Sequence, residues 1–166
     1  AMSLGMEAKD IKAALARVPQ IRHRLEVKAS SDGTMIIDDA FNSNPPGFRS
    51  ALHVLGVLAH DLKENKGAGR AILITPGMVE LGEAHSEVHR TIGALASEIC
   101  DIVVVVKSER IPTFIEGIKA GKKQPILKTF DTFADAQKWV IDQKKEGDVI
   151  LIENDLPDIY EQVLKI

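Results

Sequence analysis

The chain has 166 residues, 45% of them hydrophobic and 27% charged, with a formal net charge of -3, which fits one globular domain. With 21 Lys and Arg against 24 Asp and Glu there is no basic excess for a nucleic-acid backbone. The longest apolar runs, 102–106 and 149–152, fall far short of the roughly 20 residues a membrane helix requires, so a membrane role is also excluded.

In chain order, residues 1–5 read as a cloning remnant, and residues 6–24 as a leading helix and junction ahead of the main domain at 25–166. Within 7–18, Ile11, Ala14, Leu15 and Val18 share one helical face, and Pro19 stops the helix. Extended runs at 25–29 and 34–38 flank Ser30-Ser31-Asp32-Gly33, a cluster suited to a tight reversal, so an antiparallel hairpin is expected. Helical and apolar β-type segments then alternate: helix 47–63, strand 71–75, helix 83–99, strand 102–107 and helix 110–120, followed by strand 126–130, helix 133–145, strand 148–153 and a last helix at 157–164.

Strands as uniformly apolar as Ile102-Val103-Val104-Val105-Val106 and Val149-Ile150-Leu151-Ile152 are buried on both faces, as helices packed on both sides of a parallel sheet require. The expected fold is therefore α/β: a doubly wound, mostly parallel, Rossmann-like sheet with an N-terminal antiparallel hairpin. Ligands of such sheets bind beyond the carboxyl ends of the strands, where the strand order reverses. Attention thus falls on residues 39–46, 76–82, 108–112 and 154–157.

Asp38-Asp39-Ala40-Phe41-Asn42-Ser43-Asn44-Pro45-Pro46-Gly47 leaves a strand and enters a helix. Its short polar side chains suit turn formation and helix capping, and equally suit ribose hydroxyls; two acids and two asparagines exceed what one cap requires. In Pro76-Gly77-Met78-Val79-Glu80-Leu81-Gly82 the glycines permit close backbone approach to a ligand. Glu80 there suits either a substrate amine or the start of the next helix, where negative charge is favoured. His85 and His89 lie four apart, but the intervening glutamate is one place off the zinc-protease pattern and no third ligand is evident, so His89 is expected to be structural. Neither Gly67-Ala68-Gly69-Arg70 nor residues 117–123 has the form of a phosphate loop. The lone Cys100 reads as core, and a chain with one cysteine and no signal-peptide pattern is expected in the reducing cytoplasm.

Three segments resemble one family in the same order. His23-Arg24-Leu25-Glu26-Val27 is similar to the junction at which the central domain of Mur ligases meets the last domain, and residues 38–45 resemble the Asp-rich loop of that last domain, most closely in the MurF-type branch. Val79-Glu80-Leu81-Gly82, followed by His89 and Gly93, resembles the branch's next strand-loop-helix. Mur ligases use ATP to convert a carboxylate to an acyl phosphate, which an amine captures as an amide.

The resemblance implies that Arg24 and Asp39 contact the ATP ribose, and that Asn42 and Asn44 line the nucleotide side of an interdomain cleft. Asp38 and Asp39 face opposite ways on an extended strand, and the resemblance selects Asp39. Ser43, Gly77 and Glu80, with Asn154 and Asp155 after the last strand, are implied to face the amino substrate. ATP and Mg2+ would be held mainly by a central domain absent from this chain, which carries no metal ligands or catalytic residues of its own. The implied partners are those N-terminal and central domains, a UDP-MurNAc-peptide, and an amino acid or dipeptide. The isolated domain is expected to be inactive, closing over the reactants only within the whole enzyme.

Glu153-Asn154-Asp155-Leu156-Pro157-Asp158 stands where the MurF-type branch carries a Lys-Gly-Ser-Arg-like run, which directs expectation towards a cationic group on the amine. Phe41 and the Pro76-Gly77 pair are milder departures. The alternatives are a polyglutamate-type or cyanophycin-type amide ligase of the same superfamily, and a non-catalytic nucleotide-sensing or interaction domain.

Overall fold

A computed structural model describes residues 5–19, 21–41 and 43–154. Asn42, Asp155 and the helix expected at 157–164 lie outside the described residues. The elements are α1 (Ala8–Leu15), β1 (Glu26–Ala29), β2 (Met35–Asp39), α2 (Pro45–Lys66), β3 (Ala71–Thr75), α3 (His85–Ile99), β4 (Ile102–Val106), α4 (Pro112–Ala120), β5 (Ile126–Phe130), α5 (Phe133–Gln143) and β6 (Val149–Glu153). Short 3-10 turns at Gly82–Ala84 and Ser108–Arg110 lead into α3 and α4.

The six strands form one sheet in the order β1-β2-β6-β3-β4-β5. β1 is antiparallel to β2 at the edge, and every other pairing is parallel. The chain steps from β2 past the place later filled by β6 to β3, continues outward to β5, and returns through α5 to insert β6 between β2 and β3. Right-handed crossovers put the helices of the outward steps on one face and that of the return step on the other. The core divides accordingly. Phe48 and Leu52 of α2, Ile92 of α3 and Phe114 of α4 pack with Ile37, Leu73, Val103 and Leu151. Ala136 and Val140 of α5 pack with Ile72, Val104 and Ile150 on the opposite face. The expected doubly wound sheet with its hairpin is what forms.

The helices differ from the sequence expectation by a few residues at their ends, α2 and α1 the most. α2 starts at Pro45 rather than 47, because Asn44 caps it by accepting the Gly47 N–H at 2.9 Å and the two prolines occupy the first turn, where no N–H is needed. α1 is shorter than 7–18 and buries none of its residues; Leu15 and Val18 of its apolar stripe are 65% and 62% exposed. Between α3 and α4 the backbones nearly touch, so that a Cβ on Gly93 would run into the Phe114 carbonyl and one on Gly117 into that of Arg90. Among the described residues no helix is long and apolar enough to cross a membrane.

Candidate functional site

Because β6 lies between β2 and β3, three strand ends open side by side. The register sets Asp39 of β2 against Glu153 of β6, and Ile74 of β3 against Ile152. The loops after β2 and β3 therefore flank the last residue of β6 and its successor, Asn154.

Asn154 is buried and sits at φ 62°, a left-handed conformation that asparagine tolerates better than most residues. Its backbone N–H donates to the Asp39 carbonyl at 3.1 Å. Its side-chain amide donates to the Gly77 carbonyl at 2.5 Å, and its side-chain oxygen accepts the Ser43 N–H at 3.3 Å. The Ser43 hydroxyl donates to Glu153 Oε1 at 2.5 Å. Ser43, Gly77 and Asn154, three residues singled out in the sequence, thus share one hydrogen-bonded cluster.

Glu153 also belongs to that cluster; the sequence marked it as the first residue of an acidic run and not as a site residue. It is 0% exposed, and its Oε2 has no hydrogen-bond partner. Burial pushes its carboxyl up to about 9, the Ser43 hydroxyl opposes the shift, and the negative charge of Asp39 adds to it. At neutral pH Glu153 is therefore an uncharged acid. The negative charge expected of the segment after β6 is absent at Glu153, and the Asn154 amide is committed to backbone groups. The sequence shows a glutamate that ends an apolar strand and opens an acidic run; its burial follows from the insertion of β6, which no local pattern encodes.

The β3–α3 loop is held from behind by His89. This buried imidazole donates from Nδ1 to the His85 carbonyl at 2.8 Å and accepts the Met78 N–H on Nε2 at 3.0 Å. Those two roles require the neutral ring protonated on Nδ1, and burial pulls its pKa below the usual value. His85 in turn reaches the Arg110 carbonyl at 3.0 Å. Both histidines are thereby used structurally. Gly77, at φ 77°, donates its N–H to Thr75 Oγ1 at 2.9 Å; a Cβ there would come within 2.8 Å of both His89 Nε2 and Ile111.

The remaining predicted residues lie around this cluster. Asp39 is half-buried and its Oδ1 accepts the Leu25 N–H at 2.9 Å, which ties the chain ahead of β1 to the end of β2. Arg24 is exposed, with its guanidinium 4.5 Å from the centre of the exposed Phe41 ring. Asn44 is the α2 cap already described. Glu80 is exposed at φ 60°, and since α3 begins only at His85, Glu80 does not occupy that helix's first turn; the acid there is Glu87. Asp38 faces the other way and is fully buried, with His23 Nδ1 and Lys28 Nζ each 3.0 Å from its Oδ2. Among the described residues, no group of three His, Cys, Asp or Glu is arranged to hold a metal ion.

An α/β domain with polar loops gathered at the ends of β2, β6 and β3 is a ligand-binding architecture of defined type. Residues 23–153 match the family described as Mur ligase, glutamate ligase domain, and the chain belongs to that family. A UDP-N-acetylmuramoyl-tripeptide--D-alanyl-D-alanine ligase of Mycobacterium tuberculosis is 33% identical over 120 residues, covering 70% of this chain and 23% of that protein. The ligase of the same name from Bacillus subtilis is 25% identical over 162 residues, covering 97% of this chain and 34% of the relative. A crystal structure of the MurF ligase of Thermotoga maritima in complex with ADP matches with a TM-score of 0.67 at 27% identity, covering 93% of this chain and 32% of that one. The chain thus spans between 23% and 34% of the length of these relatives.

Proposed function

We propose that this chain is the carboxy-terminal domain of an ATP-dependent amide ligase of the MurF type, joining D-alanyl-D-alanine to a UDP-MurNAc-tripeptide in the cytoplasm. The observation that carries the reading is the convergence of Ser43, Gly77 and Asn154 at the ends of β2, β3 and β6, in a family whose MurF members share the fold. The domain contributes binding surfaces, and the rest of the enzyme contributes the phosphate loop, the Mg2+ and the chemistry of acyl phosphate formation.

The residues on the β2 side fit a nucleoside. Asp39 offers a carboxylate to ribose hydroxyls at a strand end, and Arg24 stacked on Phe41 forms a flat, cationic rim beside it. The family resemblance assigns Asn42 and Asn44 to that nucleoside, and assigns Ser43, Gly77, Glu80, Asn154 and Asp155 to the amine; of the latter, Glu80 is exposed. ATP supplies the phosphoryl group that activates the acceptor carboxylate. This domain's role is to orient the nucleoside and the amine, and on closure to keep water from the acyl phosphate. A neutral Glu153 removes one obstacle to an amine substrate that itself carries a carboxylate, as D-alanyl-D-alanine does.

In the full-length ligase, Asp39→Ala is expected to raise the Michaelis constant for ATP about tenfold, the factor carried by one charged hydrogen bond, while the circular dichroism spectrum is unchanged. Asp39→Asn, which keeps an acceptor for the Leu25 N–H, serves as the control for a purely local loosening. An ATP constant unmoved by either substitution removes Asp39 from the nucleotide site.

A further inference from the structure

Residues 153 and 154 are the structural link between two loops that make no described hydrogen bond to each other. On one side, Glu153 Oε1 takes the Ser43 hydroxyl, and Asn154 takes the Ser43 N–H while donating its own backbone N–H to the Asp39 carbonyl. On the other, the Asn154 amide donates to the Gly77 carbonyl, and the adjacent Met78 N–H is anchored on His89. Both residues are buried, at 0% and 2% exposure, so water does not compete for these bonds.

We propose that Glu153 and Asn154 form a positioning clamp that makes the β2–α2 loop and the β3–α3 loop one mechanical unit, so that a ligand ordering either loop also orders the other. The proposal deepens the functional reading and rests on it, since that reading gives Asp39 and the asparagines of the first loop to the adenine nucleotide, and Ser43 together with the second loop to the amine.

Each member has the chemistry its place requires. Asn154 holds a left-handed backbone conformation and presents both a donor and an acceptor, which join loops on opposite sides of β6. Glu153 holds the Ser43 hydroxyl as an uncharged acid. An ionised Glu153 would place a second negative charge beside Asp39, its register partner on β2. Among the described residues, the titratable groups that face the clamp are Asp39 of β2, set beside Glu153 by the register, and His89 of α3, behind Gly77 and Met78.

The test is amide hydrogen exchange of the 166-residue chain, followed by NMR at pH 7. The reporter is the Met78 N–H, which is hydrogen-bonded to His89 rather than to a clamp residue. Glu153→Ala removes only the Ser43 side. It is expected to speed Met78 exchange about tenfold, the factor associated with one lost hydrogen bond, with Val104 and Leu151 of the core unchanged. Glu153→Gln, which still accepts the Ser43 hydroxyl, is expected to restore protection. Asn154→Gly keeps the left-handed backbone, loses both side-chain bonds, and is expected to speed Met78 exchange at least as much. If Met78 is unmoved in Glu153→Ala, or speeds up only by the same factor as Val104 and Leu151, the loops are independent and the clamp is overturned. Because exchange is read without ligand, a failure of the Asp39 substitutions to affect ATP overturns the functional reading and leaves the coupling measured by exchange unaffected.

Discussion

Glu153→Gln is expected to stabilise the domain at neutral pH, by a margin that grows as the pH rises. The folded state holds the Glu153 proton up to about pH 9, whereas the unfolded chain releases it near 4.5. For an acid whose folded pKa is raised, the stability contribution is fully present below the unfolded value and is lost as pH rises towards the folded one. The loss is roughly 1.4 kcal/mol per pH unit, so about 3 kcal/mol is lost by pH 7. Glutamine does not titrate and still offers an oxygen to the Ser43 hydroxyl. The two proteins should be equally stable near pH 4.5 and diverge above it, with a difference in melting temperature on the order of 5–10 °C at pH 7. The acid side has a different origin. His89 is neutral in the fold with a lowered pKa, so stability present above about 6.5 is lost as pH falls and the unfolded chain takes up that proton. That limb should be common to both proteins. Urea denaturation across pH 4.5 to 9 decides the matter, and parallel stability curves would show that Glu153 is ionised in the fold.

The same residue shows where sequence reading reaches its limit. Alternation of apolar strands with helical periodicity is local information, and it located every described strand and helix of the domain to within a few residues. The uniform burial of β4 and β6 was legible because no polar residue interrupts Ile102 to Val106 or Val149 to Ile152. Strand order was not legible. Nothing in residues 149–153 states that this strand enters between β2 and β3, and only that insertion sets Glu153 against Asp39 and puts Asn154 within reach of both Ser43 and Gly77. The apolar stripe of α1 shows the complementary limit, because periodicity reports that a helix has an apolar side and says nothing of what covers it.

For the site itself, the motif resemblance drew attention to the ends of β2, β3 and β6, which the fold brings together, but did not sort the contacts within them. Asn44 had two readings, and its described bond is the cap on Gly47. Glu80 is carried outward at a left-handed position by the same turn that brings Gly77 inward, since Gly77 and Gly82 both have positive φ on either side of it. Asp38 and Asp39 separated as strand alternation requires, one buried with a hydrogen bond to His23 and an ion pair to Lys28, and the other at the site's edge. His89 was recognisable as structural by exclusion, for want of a third metal ligand. Its actual partner, the Met78 N–H, depended on how α3 packs behind the β3 end.

Gly77→Ala should be the most damaging single-methyl change in this region. At φ 77° an alanine incurs about 1 kcal/mol of backbone strain. Its Cβ would also lie 2.8 Å from His89 Nε2 and from Ile111, both on buried side chains that have no room to move away. Relief of that overlap requires the loop to shift, and the loop carries three bonds at once: the Gly77 N–H to Thr75, the Gly77 carbonyl to Asn154, and the Met78 N–H to His89. Overpacking costs about 1–3 kcal/mol, and each buried group left without a partner adds about 1–3 kcal/mol more. The expected destabilisation is about 3 kcal/mol or more, with loss of Met78 protection ahead of global unfolding. Gly82 provides the comparison, because it also has a positive φ, 53°, but an added Cβ there meets nothing within 4 Å. Gly82→Ala should therefore show the backbone strain alone, about 1 kcal/mol. Equal destabilisation of the two variants by urea denaturation would mean that the contact between Gly77 and His89 contributes nothing, and that the β3–α3 loop is held by its backbone conformation rather than by the imidazole behind it.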